Sequence, residues 1–392
     1  MPGSNGFKCG ISRLFLKGRC LGQVRVVIFI QVLNSFVAGV LGVALPLMME
    51  ERNVDIITIG LVFASLPMIF QLSRILFATV SDFWGKKRFF ILNGFFGLVA
   101  SLIYYLAYTP LEFLFGKVVE GTKDGSLWAV NRAFLLEKSE RKWTILVYLR
   151  TAAYVAYAVG SLLAGFLIVW FFFEGTLTLC VVVGAFVVPA ALLLVSEKRK
   201  RFNVAEALHL LDFRKKDAVF KRFLVLFFVM GLAFGFRSGF VFPLFLSANG
   251  FDAEVVGVII GLQILLAGLF SYVFARRFEM GKLLLLSGVF YTVALVLLGF
   301  SSSVFAGLLV VVYGVVEGLL SISQEGILSR ITSEGSYGTD IGLLMMGLHS
   351  GNALSLALSG FLIEMWGFIA PFLMSGSIFM IFYVGSYFLL KE

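Results

Sequence analysis

Three carboxylic acids lie inside long apolar segments of this chain, where ionisable side chains are rare. Glu120 and Asp124 lie one helical turn apart in one segment, and Glu317 lies in a much later one. A carboxyl group shielded from water holds a proton more readily and can release it when its access to water changes. The sequence therefore predicts that Glu120, Glu317 and Asp124 couple protons to another process.

Basic side chains accompany two of these acids. Lys117 precedes Glu120 by three positions on the same helical face, and Arg237 lies in the middle of another apolar segment. Both are predicted to contact a solute with a negative or polar group. Alternatively, Lys117 only neutralises Glu120 and Arg237 only neutralises Glu317. Two further bases, Lys123 and Arg150, leave the apolar segments slightly cationic.

Three other polar side chains lie within apolar segments. Asn34 and Asn352 are predicted to hydrogen-bond a solute, with helix-to-helix bonding as the alternative for each. For His349, packing or bonding to a helix is favoured over a role as a proton relay.

The composition requires a bilayer around these residues. The 392 residues are 60% hydrophobic and 14% charged, with a mean hydropathy of +0.98, whereas soluble domains are about 25% charged. This excludes a soluble enzyme. Two distant histidines, with no nucleotide loop, hydrolase motif or metal-ligand spacing, also argue against an enzyme, and we expect neither a cofactor nor a metal.

Twelve apolar segments are each long enough to cross a hydrocarbon layer of about 30 Å as a helix. They predict an all-α membrane protein with both termini on one side. The segments are approximately 24–49, 56–80, 89–108, 111–133, 144–170, 176–195, 223–247, 254–275, 283–300, 304–328, 337–363 and 369–389.

Positive charge indicates which side that is. Most Lys and Arg residues fall in the connections on the side of the termini, and the opposite connections are acidic. The positive-inside rule therefore predicts cytoplasmic termini in a multi-pass plasma-membrane protein. The net charge of +9 is explained by topology, so nucleic acid is not expected as a partner.

The two halves of the chain repeat each other. Residues 118–121 recur as residues 315–318, so Glu120 corresponds to Glu317. At the same offset, five residues of the first two segments and the loop between them, Gly42, Pro46, Leu47, Asp55 and Gly60, recur as Gly239, Pro243, Leu244, Asp252 and Gly257. The predicted domains are a six-helix bundle over 1–195, a basic cytoplasmic linker over 196–222 and a second six-helix bundle over 223–392.

The loop after the second segment resembles the signature loop of the major facilitator superfamily. Asp82, Gly85, Lys86 and Lys87 match it, and Ala78 replaces its first glycine. Residues 117–121 also resemble the family's fourth-helix motif, with Lys117 in place of its usual arginine. The resemblance extends over essentially the whole chain.

This resemblance implies two pseudo-symmetric six-helix bundles facing a central cavity, which opens alternately to each side of the membrane. It also implies that helices one, four, seven and ten line the cavity. Asp82, Gly85 and Arg132 would form a conformational latch, in which the acid contacts the start of the eleventh helix and Arg132.

The sequence thus predicts a secondary active transporter of a small organic solute, coupled to protons and functional as a monomer. An uncoupled facilitator, or an organic-anion exchanger that uses Lys117 and Arg237, remains the alternative within this fold. A sensor with a transporter-like fold is the alternative of another class. Neither the solute nor the direction of transport follows from the sequence.

Overall fold

The computed structural model describes residues 18–138, 142–195, 216–274, 280–331 and 337–390. Within these ranges the regular elements are α-helices. Most of the predicted linker, residues 196–215, lies outside the described residues, as does the side chain of Asp82.

The described residues form twelve helices. They are α1 (Gly18–Glu51), α2 (Ile56–Trp84), α3 (Lys86–Leu106), α4 (Pro110–Lys138), α5 (Lys142–Leu192), α6 (Ala218–Gly235), α7 (Val241–Ala248), α8 (Ala253–Phe274), α9 (Met280–Gly299), α10 (Ser303–Ile331), α11 (Tyr337–Trp366) and α12 (Ile369–Leu389).

The seventh predicted segment is not one continuous helix, which corrects the range 223–247. It starts at Ala218 as α6, stops at Gly235 and resumes as α7 at Val241. Gly239 lies in this break with φ +64°, a backbone conformation that glycine adopts without steric cost. The break is invisible to a hydropathy scan because residues 234–242 include four apolar aromatic side chains.

The described helices account for the twelve predicted crossings. Among the described residues, nine stretches are long and apolar enough to span a membrane. One of them, Tyr148–Leu192, includes a break at Phe172 (φ 56°), so that α5 supplies two crossings. The two crossings outside this set are α4, which carries Lys117, Glu120 and Lys123, and α9, whose apolar stretch is short.

Helix pairing follows the repeat. In the first half α2 and α3 both pack against α4, and in the second half α8 and α9 both pack against α10. Likewise, α1 packs against α5 and α6 packs against α11. Helices of the two halves meet where α2 packs on α11 and where α5 packs on α8.

The contacts between the halves depend on close backbone approach. A Cβ atom at Gly165 in α5 would lie 2.3 Å from the carbonyl oxygen of Ala253 in α8. One at Gly360 in α11 would lie 2.5 Å from the carbonyl oxygen of Ile56 in α2. These contacts lie near the connections 51–56 and 248–253, which we call the short-loop end. The end that carries residues 18 and 390 is the basic end.

Candidate functional site

In the first half, Glu120 is the centre of a buried cluster. The Lys117 Nζ lies 2.8 Å from Glu120 Oε2, and the Tyr104 hydroxyl donates to the same oxygen at 2.6 Å. The Lys117 and Glu120 side chains are each only 6% exposed. The Lys117 ammonium also lies 4.4 Å from the ring centre of Phe63 in α2. Lys117 therefore neutralises Glu120 in this structure.

Asp124 has a lysine partner of its own. Its Oδ1 lies 3.0 Å from Lys123 Nζ, and its side chain is 24% exposed while that of Lys123 is 3% exposed. The like charges of Glu120 and Asp124 are therefore offset separately. Further along the helix, Asn131 is buried and donates to Gln31 in α1 at 2.8 Å. Trp128, one turn after Asp124 on the same side of α4, is exposed.

In the second half, Arg237 holds Glu317 with both arms of its guanidinium. Nη1 lies 2.8 Å from Oε2 and Nη2 lies 3.1 Å from Oε1. Arg237 Nε donates to the Tyr291 hydroxyl at 2.5 Å, and Gln263 of α8 donates to Glu317 at 3.4 Å. Arg237 lies in the break between α6 and α7, so this pair joins that break to the middle of α10.

Aromatic residues lie between the two clusters. The Phe63 ring, which contacts Lys117, also packs against Phe240 of the α6–α7 break, with ring centres 5.6 Å apart. Tyr157 of α5 interacts electrostatically with both Glu120 and Glu317. The clusters therefore share neighbours at the contact between the halves.

A fourth ion pair, unlike the three described above, joins the two halves. Arg150 of α5 donates to Glu325 of α10 at 2.5 Å and also to Ser321. Glu325 gives Arg150 an acid partner, so the prediction of a cationic excess is wrong for Lys117, Lys123, Arg150 and Arg237. Glu325 was not among the residues predicted from the sequence, although an ionisable residue two turns beyond Glu317 in an apolar segment was a signal for it.

The remaining predicted residues make different contacts. Asn34 donates to Asn93 of α3 at 2.9 Å, which is the helix-to-helix bond considered as its alternative role. Asn352 lies against Gly235 at the end of α6, and within the described part of the chain its Oδ1 has no hydrogen-bond partner. His349 packs on Phe70 of α2, with ring centres 4.7 Å apart.

The predicted latch is described only in part. Gly85 ends α2 with φ +83°, and its N–H donates to the Ser81 carbonyl. The guanidinium of Arg132 lies 5.1 Å from the centre of the Trp128 ring. Any contact of the Asp82 carboxylate falls outside the described side chains.

Solved transporter structures share this arrangement of helices. A mutant of the nucleoside transporter NupG has a TM-score of 0.77 and 16% identity, with 94% of this chain and 99% of that chain covered. The human organic anion transporter MFSD10 (TETRAN) has a TM-score of 0.72, 16% identity and the same coverage. A structure described as giving insights into substrate recognition in proton dependent oligopeptide transporters has a TM-score of 0.71 and 14% identity, covering 95% of this chain and 98% of that chain.

The family itself is shown by the sequence. No curated protein matches the chain. A sequence profile described as Major Facilitator Superfamily, however, matches residues 27–324, well over half of the chain. Together with the twelve-helix fold, this match shows that the chain belongs to the major facilitator superfamily, whose members are membrane transporters of small solutes.

Proposed function

We propose that this protein is a secondary active transporter that moves a small organic solute by alternating access and couples that movement to protons through Glu120, Glu317 and Asp124. The observation that carries the proposal is the buried, bidentate ion pair of Arg237 with Glu317. It joins a break in one membrane crossing to the middle of another. A charge pair in that position connects protonation to helix movement.

Protonation of Glu317 would remove the negative charge that neutralises Arg237. The Arg237 side chain is only 4% exposed, and a buried cation without a counter-ion is strongly unfavourable. The protein would then favour a state in which Arg237 reaches water or another anion. The break at 236–240 supplies a backbone that can change without opening a continuous helix.

Protonation of Glu120 would act on the contact between the halves. Without the carboxylate, Lys117 loses its charged partner, and the same ammonium lies against Phe63, which packs on Phe240. A shift of Lys117 would therefore reach the α6–α7 break through these rings. Asp124 is more exposed than Glu120 and gives a proton a route to that carboxylate.

The ion pairs favour proton coupling over the organic-anion exchanger considered above. An exchanger that used Lys117 and Arg237 would need these cations free for its substrate, but each is bound to a glutamate. In a proton-coupled cycle the same pairs supply carboxylates that a proton can neutralise.

Small organic solutes are the proposed cargo. The similar structures are described as transporters of nucleosides, organic anions and oligopeptides, so the fold accommodates diverse polar molecules. Lys117 and Arg237, once protonation of Glu120 and Glu317 frees them, remain proposed solute contacts together with Asn34 and Asn352. Among them, Asn352 has an unpartnered acceptor beside the α6–α7 break.

The proposed cycle uses two bundles, 1–195 and 223–392, joined by a cytoplasmic linker at 196–222. Asp82, Gly85 and Arg132 would hold one state as a latch. We propose that the protein acts as a monomer in the plasma membrane. Both termini would lie in the cytoplasm, because positive charge is concentrated at the basic end.

Transport in proteoliposomes tests the coupling. A thermal-shift screen of metabolites first identifies a solute that stabilises the purified protein. Uptake of that solute is then measured with and without an imposed pH gradient. We expect Glu317→Gln and Glu120→Gln to reduce gradient-driven uptake at least tenfold while exchange at equal pH continues.

Glu364→Gln is the matched control, because Glu364 is exposed at the short-loop end of α11. It should transport as the unchanged protein does. Gradient-driven uptake that persists in both Glu317→Gln and Glu120→Gln would contradict the proposed coupling and favour an uncoupled facilitator.

A further inference from the structure

Arg74 of α2 is a cation inside the helical region without an acid partner among the described side chains. It lies ten residues before the end of α2 at Trp84, within the membrane-spanning stretch Ile56–Ala78. Lys117, Lys123, Arg150 and Arg237 each pair with a carboxylate. Neither a hydrogen bond nor an ion pair of the Arg74 side chain occurs within the described part of the chain.

The neighbours of Arg74 show that its side chain points into the molecule. It interacts electrostatically with Arg132 of α4 and with His349 of α11. These two helices lie on either side of α2, so the guanidinium is directed between helices and not toward lipid. The Arg74 guanidinium itself makes this position attractive to an anion.

His349 adds an unpartnered polar atom at the same place. Its ring packs on Phe70, one turn before Arg74, and its buried Nδ1 has no hydrogen-bond partner among the described residues. One residue along α2, Gln71 donates to the Gly342 carbonyl at 3.4 Å. The contact between α2 and α11 thus holds a cation and an unpartnered imidazole nitrogen.

A cation inside a membrane protein requires water or an anion. A guanidinium fits a carboxylate or phosphate group with two parallel hydrogen bonds, and an imidazole N–H can donate to the same group. We propose that Arg74 and His349 bind the anionic group, a carboxylate or a phosphate, of the transported solute. The proposal depends on the proposed function only in identifying that anion as part of the solute.

The position of Arg74 suits a site beside the proton-coupling groups. A Cβ atom at Gly125 of α4 would lie 2.9 Å from the backbone nitrogen of Arg74, so Gly125 packs at the level of Arg74. Glu120 precedes Gly125 by five residues, or about 7 Å along the helix. An anion at Arg74 would therefore lie one to two turns from Glu120, toward the basic end.

Charged thiol reagents test the site without knowledge of the solute. Cys9, Cys20 and Cys180 are first replaced by alanine, and His349→Cys is introduced in vesicles of neutral phosphatidylcholine. The probes are two methanethiosulfonates, one with an ethylsulfonate group and one with an ethyltrimethylammonium group. The measured quantity is the ratio of their modification rates, anionic over cationic.

We expect Arg74→Gln to lower that ratio about tenfold, because the positive potential at the introduced thiol is lost. Arg74→Lys should retain much of it and shows that the fold tolerates a change at this position. Arg330→Gln, which removes an exposed arginine at the basic end of α10, should leave the ratio unchanged. An unchanged ratio in Arg74→Gln, or a thiol unreactive to both probes, would overturn the proposal.

Competition identifies the ligand class. Inorganic phosphate and benzoate should slow modification at least threefold, whereas benzamide, which has the shape of benzoate without its charge, should not. Protection only by vesicles that contain anionic phosphatidylglycerol would assign the site to a lipid headgroup and overturn the solute assignment. No pH gradient is used, so loss of coupling in Glu317→Gln and failure of this site are separate results.

Discussion

Glu120 and Glu317 occupy matching positions in the two halves, but their cations come from different places. Lys117 lies on the same helix as Glu120, three residues earlier. The residue that corresponds to Lys117 in the second half is Gly314, and Glu317 is held by Arg237 from another crossing. A pair within one helix survives any movement of that helix, whereas the Arg237–Glu317 pair must break if α6 and α7 move away from α10.

A second difference lies in the crossings that begin each half. Gly42 lies inside the unbroken helix α1, and its repeat counterpart Gly239 lies in the break between α6 and α7 with φ +64°. Arg237 lies in this break, and the residue of α1 that corresponds to it in the repeat is Val40. The two halves therefore share the matched glutamates and the helix order, but at these positions the second half has a break and a cation where the first half has a continuous helix and a valine.

The largest expected effect separates the two acid clusters. Glu317→Ala leaves the Arg237 cation buried without its partner and should reduce the free energy of unfolding by about 3–5 kcal/mol. Arg237→Met combined with Glu317→Leu should cost less than Glu317→Ala alone, because no unpaired charge remains. Denaturant unfolding in detergent measures both, and equal losses would contradict a buried ion-pair origin.

Glu120→Ala should cost less than Glu317→Ala. Its cation Lys117 makes one contact with the carboxylate and also packs on the Phe63 ring, which keeps part of its stabilisation. Equal or greater loss on Glu120→Ala in the same unfolding measurement would remove the distinction between the local and the tertiary pair.

The tyrosines sharpen the comparison at a smaller scale. Tyr104→Phe removes the hydrogen bond to the Glu120 carboxylate and should cost about 1.5–3 kcal/mol. Tyr313→Phe is the matched control, because the Tyr313 hydroxyl is as deeply buried but makes no hydrogen bond of normal geometry to any described residue. Unfolding measurements that show similar losses for both variants would contradict the assigned role of Tyr104.

Alanine at each of the two repeat glycines, Gly42 and Gly239, should destabilise the protein for a different reason. A Cβ atom at Gly42 would lie 2.5 Å from the Tyr157 hydroxyl oxygen, so Gly42→Ala should cost about 1–3 kcal/mol, and Tyr157→Phe should restore much of the loss. Gly239→Ala should cost about 1–2 kcal/mol because of its positive φ, and no side-chain change should rescue it. Thermal unfolding of the single and double variants measures the rescue.

The smallest effect concerns the first turn of a helix at the short-loop end. Asp55 caps α2 by accepting a 2.8 Å hydrogen bond from Thr58 N–H, and bonding to Thr58 lowers the pKa of this carboxyl. Asp55→Ala should cost about 0.5–2 kcal/mol at neutral pH. The repeat counterpart Asp252 makes no such side-chain bond among the described residues, so Asp252→Ala should cost less.

The pH dependence of this cap follows from the direction of the shift. A lowered pKa in the folded state means that the contribution is present above about pH 4 and is lost as the pH falls through the folded-state pKa. Unfolding curves of Asp55→Ala and the unchanged protein should therefore converge in acid. A stability difference that persisted below that range would contradict the cap assignment.

Much of the fold followed from local sequence. Apolar length predicted the membrane crossings, and the repeat predicted two related halves. In the structure, the packing of α2 with α4 is matched by that of α8 with α10. The ion pair of Lys117 with Glu120 was available from their spacing on one helix. The break at 236–240 was not, because the phenylalanines on both sides of Arg237 and Gly239 keep the hydropathy of the segment high.

The sequence by itself determined the membrane environment, the helical crossings and the presence of matched acids, because hydropathy and helical periodicity are properties of short segments. Only the tertiary structure decided which charges from different parts of the chain are paired. Arg237 reaches Glu317 over 80 residues of chain, Arg150 reaches Glu325 over 175, and Arg74 has no acid partner among the described side chains. Such pairings depend on which helix faces pack together, and similar apolar segments carry little information about that choice.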